Sequence, residues 1–137
     1  MPATILLVEH DEMVLTFASS VLRFHGYTVL HARNGAEAMR MADRVGLEGI
    51  DLLLTDVDAR MLGGLGLIRR CTQLRPDLKV LCMTERPGRL EDELGYGCQT
   101  IVKPFGYREL VESVEACCAA GRASHAGVGG LGSGVGV

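Results

Sequence analysis

Short apolar runs alternate with stretches whose apolar positions recur at helical spacing. Thr4-Ile-Leu-Leu-Val8 is continuous and ends at the polar run Glu9, His10, Asp11, Glu12. A strand buried on both faces has this look. From Met13 to His25, Val14, Leu15, Phe17, Ala18, Val21 and Leu22 form a helical stripe, which Gly26 stops. Tyr27 to Ala32 is rich in strand-forming residues, Asn34-Gly35 is a turn, and Ala36 to Val45 is an Ala- and Met-rich helix. Asp51 to Thr55 repeats the buried-strand pattern, and Gly64 to Leu74 carries Leu65, Leu67, Ile68 and Cys71 on a helix that ends before Pro76. Leu78 to Met83 is a fourth strand and Thr100 to Val102 a fifth. Between them, residues 86–94 have length for a short helix only. Tyr107 to Ala119 is the last helix.

Five strand–helix units in about 118 residues predict a doubly wound α/β domain with a five-stranded parallel sheet and helices on both faces. The domain is expected over residues 3–120. The 17 residues from Gly121 to Val137 hold seven glycines and no apolar period, and read as a flexible glycine-rich tail. In such sheets the site lies at the carboxyl ends of the strands. That rule selects Glu9–Asp11, Thr55–Asp58, Thr84–Glu85 and Lys103.

Composition narrows the class. The 137 residues are 47% hydrophobic and 23% charged, enough to bury a core, and the formal net charge is −3. This balance offers no basic footprint for nucleic acid or anionic lipid. Apolar runs fall far short of the ~20 residues that cross a bilayer. No basic segment precedes the first run, so a secretory signal is not expected. The five cysteines form no CxxC pair, which points to reduced thiols and a cytoplasmic location.

The strand-end residues form a coherent chemical set. Asp56 leaves a buried strand and enters a loop containing Gly63, Gly64 and Gly66. An ionised carboxylate there can attack phosphorus without a base. Neutralising a phosphoryl group calls for a divalent cation on nearby carboxylates and a backbone carbonyl, for Lys103 as a point charge and for Thr84 as a hydroxyl donor. Each residue alone also has an ordinary structural use: Asp56 as a cap, Thr84 as a strand-end hydroxyl, Lys103 as a solvated cation. Their joint placement at separate strand ends argues for the chemistry.

At these residues the chain resembles the response regulator receiver domain, typified by the chemotaxis Y protein. The resemblance runs from Ala3 to about Ala119. It rests on Ile5-Leu-Leu-Val-Glu-His-Asp-Glu12, Gly26-Tyr-Thr-Val-Leu-His-Ala-Arg-Asn-Gly-Ala-Glu-Ala38, Asp51-Leu-Leu-Leu-Thr-Asp-Val57, Leu78-Lys-Val-Leu-Cys-Met-Thr84 and Lys103-Pro-Phe105. It implies a flavodoxin-like receiver fold, a (βα)5 sheet, with Asp56 accepting a phosphoryl group from a histidine kinase or phosphotransfer protein. Lys103 and Thr84 would contact the phosphoryl oxygens. Mg2+ would be held by Glu9, Asp11, Asp56 and the backbone carbonyl of Asp58. The family usually has two acids after the first strand; here the second place is His10, a nitrogen donor where a hard cation wants oxygen. Magnesium affinity is therefore expected to be weak, with rescue by Glu9 or Asp11; the alternatives are that a softer metal is preferred, or that His10 merely hydrogen-bonds Asp56 or points to solvent.

Other departures follow. Ala59-Arg60 replaces the usual Met-Pro, Gly63 stands where an acid is usual, Glu85 fills a normally small position, and Thr100 occupies the aromatic switch position. Asp58 and Arg86 fall at the two positions that tune phosphoryl lifetime, where opposite charges could pair across the pocket mouth. The expectation is a stand-alone switch module, not an enzyme, whose unknown output partner is reached through protein contacts; a homodimer remains open. A second reading is a degenerate receiver acting as a phosphorylation-independent binding or dimerisation module. A third is a small phosphatase, since Asp56-Val-Asp58 is similar to the nucleophile pair of haloacid-dehalogenase-type enzymes. The downstream acids that reading needs, Glu109, Glu112 and Glu115, recur at helical spacing and fit a solvated face better.

Overall fold

The computed structural model describes residues 3–58, 64–88 and 99–125. The elements in chain order are β1 (Thr4–Val8), α1 (Glu12–Phe24), β2 (Thr28–Ala32), α2 (Gly35–Val45), a single 3₁₀ turn (Leu47–Gly49), β3 (Leu52–Asp56), α3 (Gly64–Leu74), β4 (Lys79–Thr84), β5 (Gln99–Val102) and α4 (Tyr107–His125). The five strands form one parallel sheet in the order β2-β1-β3-β4-β5. The chain leaves β1 in one direction to reach β2, then crosses to β3 on the other side. The crevice at the carboxyl ends of β1 and β3 is therefore the topological switch point, where open α/β sheets bind ligands.

Alternate side chains of each strand serve opposite cores, as the period of two requires. Ile5, Leu7, Leu52, Leu54, Leu81 and Met83 pack with Leu15, Ala18 and Leu22 of α1 and with Leu110, Val114 and Cys117 of α4. Leu6, Val8, Leu53, Val80 and Cys82 face the other way, onto Ala38 and Ala42 of α2 and Leu67, Ile68 and Cys71 of α3. This two-sided burial explains why β1, β3 and β4 read as unbroken apolar runs.

Local chemistry sets the element ends. Asp11 caps α1, its carboxylate accepting from the N–H groups of Met13 (2.9 Å) and Val14 (3.3 Å). Gly26, with φ +94°, then turns the chain out of that helix. Asn34 caps α2 by accepting from Glu37 N–H at 2.8 Å.

Three points differ from the sequence expectation. β3 runs on to Asp56, which pairs with Met83, so the carboxylate sits on the last strand residue and not in the loop. α4 continues to His125, beyond the end expected at Ala119 and into the segment read as tail, because Ala119, Ala120 and Ala123 favour helix over the entropy of Gly121. The rest of that tail lies outside the described residues. So does most of the short helix expected over 86–94, of which Pro87 and Gly88 are helical. Finally, Cys71, Cys117 and Cys118 are free thiols, but Cys82 is disulfide-bonded, against the expectation of five reduced cysteines. Sequence spacing does not report which cysteines the fold brings close.

Candidate phosphoacceptor site

The register places the site. Val8 lies opposite Thr55, Asp56 opposite Met83, and Thr84 opposite Val102, so Glu9, Asp56, Thr84 and Lys103 leave neighbouring strands at one level. Backbone bonds fix the exits: Glu9 N–H donates to Ala32 O (3.0 Å), Val57 N–H to Met83 O (3.1 Å) and Lys103 N–H to Thr84 O (2.8 Å).

Four side chains then converge. The Lys103 ammonium stands between two carboxylates, 2.9 Å from Glu9 Oε1 and 3.2 Å from Asp56 Oδ1. Asp56 Oδ1 also accepts from Asp58 N–H at 2.9 Å. Asp56 Oδ2 bonds His10 Nδ1, which is 3.4 Å from Glu9 Oε2. An ionised carboxylate can only accept, so in that contact the imidazole proton is on Nδ1. Glu9 and Asp56 are almost wholly buried, at 0% and 3% exposure, whereas the His10 side chain is 56% exposed.

The electrostatics follow from that burial. Desolvation raises the Glu9 carboxyl above its ordinary range, and the hydrogen bond from Lys103 offsets this only in part. For Lys103, desolvation favours the neutral amine, but Glu9 and Asp56 together outweigh it and the ammonium is held above its ordinary range. Two buried carboxylates share one ammonium.

One hydrogen bond farther out, Asp58 organises a second group. Its Oδ1 accepts from the Thr84 hydroxyl at 2.7 Å and its Oδ2 from Glu85 N–H at 2.9 Å, while Thr84 Oγ1 accepts from Arg86 N–H at 2.9 Å. Thr84 is buried. This role of the Asp58 side chain was not foreseen. An acid two residues past a strand-end carboxylate is the available signal, but the expectations for Asp58 are a metal-binding backbone carbonyl, a pairing with Arg86 and, in the phosphatase reading, a general acid. Among the described residues no ion pair joins Asp58 to Arg86; the Asp58 carboxylate is already engaged by Thr84 and Glu85.

The candidate metal set is also rearranged. The ligand atoms that gather within 4.8 Å of one another belong to Glu9, His10 and Asp56. Asp11, expected to join them, spends its carboxylate on the α1 cap and stands outside the cluster. Its N–H instead donates to Glu9 Oε2 at 3.0 Å, steadying the buried carboxylate. Glu85 and Thr100 are both exposed. No aromatic side chain occupies the switch position, and Glu85 reaches solvent.

Comparison with known proteins gives the family. The sequence profile described as response regulator receiver domain matches residues 5–115. The chain belongs to the response regulator receiver family. This receiver is 34% identical over 114 residues to the response regulator receiver protein CpdR of Brucella abortus, covering 81% of its own length and 92% of CpdR. It is 29% identical over 119 residues to the sensor kinase CckA of the same organism, covering 82% of its own length but spanning only 12% of CckA. In structure it is similar to a response regulator receiver domain protein from Clostridium thermocellum, with a TM-score of 0.79 at 19% identity, covering 89% of this chain and 98% of that one. Receiver domains are signalling modules of two-component systems that work with histidine kinases and bind Mg2+ at acidic residues in this corner. Among the described residues, no helix of this receiver is long and apolar enough to cross a membrane.

The donor set here fits a divalent cation, and its third member is a nitrogen where magnesium prefers oxygen. Glu9 and Asp56 supply hard oxygens, and His10 supplies nitrogen.

Proposed function

We propose that this receiver takes a phosphoryl group onto Asp56 from a histidine kinase or phosphotransfer protein and passes the change on through protein contacts in the cytoplasm. One observation carries the reading: Lys103 bridges Glu9 and Asp56 while the two Asp56 oxygens have separate partners. Oδ1 is anchored by Asp58 N–H and Lys103. Oδ2 meets only the half-exposed imidazole, so it is the oxygen free to attack once His10 swings outward.

In the transfer, Asp56 Oδ2 forms the bond to phosphorus as the donor's P–N or P–O bond breaks, and the donor keeps that electron pair. Lys103, held charged by its two carboxylates, balances the incoming phosphoryl oxygens. Thr84 then exchanges its bond to Asp58 for one to a phosphoryl oxygen. Because Asp58 also holds Glu85 N–H, loss of the Thr84 bond reaches the β4 exit, and this supports a conformational signal at that edge.

Incubation with a small-molecule phosphodonor and a divalent cation, followed by intact-mass analysis, tests the reading. The wild type should gain one phosphoryl group and Asp56→Asn none. Equal labelling of both, or of neither, would overturn it.

A second reading, a phosphorylation-independent binding or dimerisation module, is favoured by a single contact: the imidazole of His10 lies on the oxygen that must attack. His10→Ala separates the two. Under the first reading the variant still labels at Asp56. Under the second it gains labelling that the wild type lacks.

A further inference from the structure

We propose that Glu9, His10 and Asp56 form a cation site that selects a transition ion accepting imidazole, of the manganese-to-zinc series, over magnesium. The proposal rests on the reading of this corner as the receiver's phosphoacceptor site, but it concerns binding and needs no phosphoryl transfer.

Charge is the first argument. Glu9 and Asp56 are buried and share the single ammonium of Lys103. Buried charge without a matching partner is expensive, and a divalent cation would remove the excess. Among the described residues, Glu9 Oε1, fully buried, is held by the Lys103 ammonium alone.

Geometry is the second. The three ligand atoms lie within 4.8 Å of one another. Adjacent ligands of one ion at about 2.0–2.2 Å stand roughly 3 Å apart, so Nδ1 and Asp56 Oδ2, now in direct hydrogen-bond contact, must separate for the ion to enter between them. His10 is exposed enough to make that adjustment, being tied down through its ring contacts alone.

Donor chemistry is the third, and it decides the ion. Among the described residues, Glu9, His10 and Asp56 are the acidic and imidazole side chains whose donor atoms converge. Asp11 is committed to the helix cap, and Asp58 to Thr84 and Glu85. The remaining nearby donor is a nitrogen. Magnesium prefers oxygen and gives up water reluctantly, whereas affinity at N/O sites rises along the first-row series. On binding, the cation takes the place of the proton between Nδ1 and Asp56 Oδ2. The imidazole becomes the Nε2–H tautomer, and one proton passes from Nδ1 to solvent while another is taken up at Nε2.

The test uses the full chain stripped of metal with a chelator, titrated calorimetrically with Mn2+ and separately with Mg2+. Mn2+ is chosen because thiols bind it poorly, which keeps the cysteines silent. Wild type should bind Mn2+ tighter than Mg2+ by roughly tenfold or more. His10→Asp should bring the two affinities close together, mainly by strengthening Mg2+. Pulsed electron paramagnetic resonance of the Mn2+ complex should show a directly coordinated nitrogen that disappears in His10→Asp. Equal affinities in the wild type, an unchanged ratio in the variant, absence of the nitrogen coupling, or failure to bind either ion would each overturn the proposal. Failure of the phosphoacceptor reading looks different: normal Mn2+ selection with no phosphoryl group on Asp56.

Discussion

At the scale of single residues, the site holds charge in tension. Glu9 is ionised only at a cost, because its burial outweighs the bond from Lys103. The folded chain therefore holds the Glu9 proton more tightly than the unfolded chain does. Stability is lost as pH rises from the ordinary value of 4.5 through the raised one. Glu9→Gln removes that cost while leaving Lys103 paired with Asp56. In metal-free buffer at neutral pH the variant should be more stable in urea by roughly 0.5–2 kcal/mol, with the gain shrinking toward acid pH. A variant less stable than wild type at pH 7 would show that Lys103 wins over desolvation. The thiols give a second check. Burial pushes the Cys117 thiol up to about 11, with Cys118 adding to the shift, and burial raises Cys71 as well. Alkylation at pH 8 followed by peptide mapping should modify the half-buried Cys118 well before Cys71 or Cys117.

The elements show how much was readable in advance. β1, β3 and β4 were legible because strands covered on both faces leave apolar runs that end abruptly at polar residues. α1 and α2 were legible from their stripes, and Gly26 marked the α1 end. Asp11 was not. A carboxylate beside Glu9 and His10 has two uses, ligand or helix cap, and sequence proximity does not choose between them. The strand turns into a helix directly after it, and the two free N–H groups of Met13 and Val14 take the carboxylate. Asp11→Ala should thus cost about 1 kcal/mol of stability by chemical denaturation, as a lost cap does, and leave divalent affinity unchanged. A large fall in affinity with no loss of stability would return Asp11 to the metal. The α4 end differs for a related reason: the segment from Gly121 reads as tail because of its seven glycines and missing apolar period, but one glycine costs only ~1 kcal/mol against Ala within a helix.

At the scale of the whole molecule, the strand order brings residues 9, 56, 84 and 103 to one corner, although Glu9 directly follows β1 and Lys103 directly follows β5. Which residues meet there was readable from the strand-end rule. How they pair was not, because the partners are set by distances of a few tenths of an ångström: Lys103 between two acids, His10 on Oδ2, Asp58 on Thr84. The account stands on Asp56 as the atom-level acceptor, and the most direct measurement reads the modified residue itself. The chain would be phosphorylated with a small phosphodonor, reduced with borohydride, and peptide-mapped, since reduction converts an acyl phosphate to an alcohol. The account predicts that alcohol at position 56 and at no other aspartate or glutamate. An intact Asp56 in a chain carrying phosphate elsewhere, or no reducible acyl phosphate at all, would contradict it.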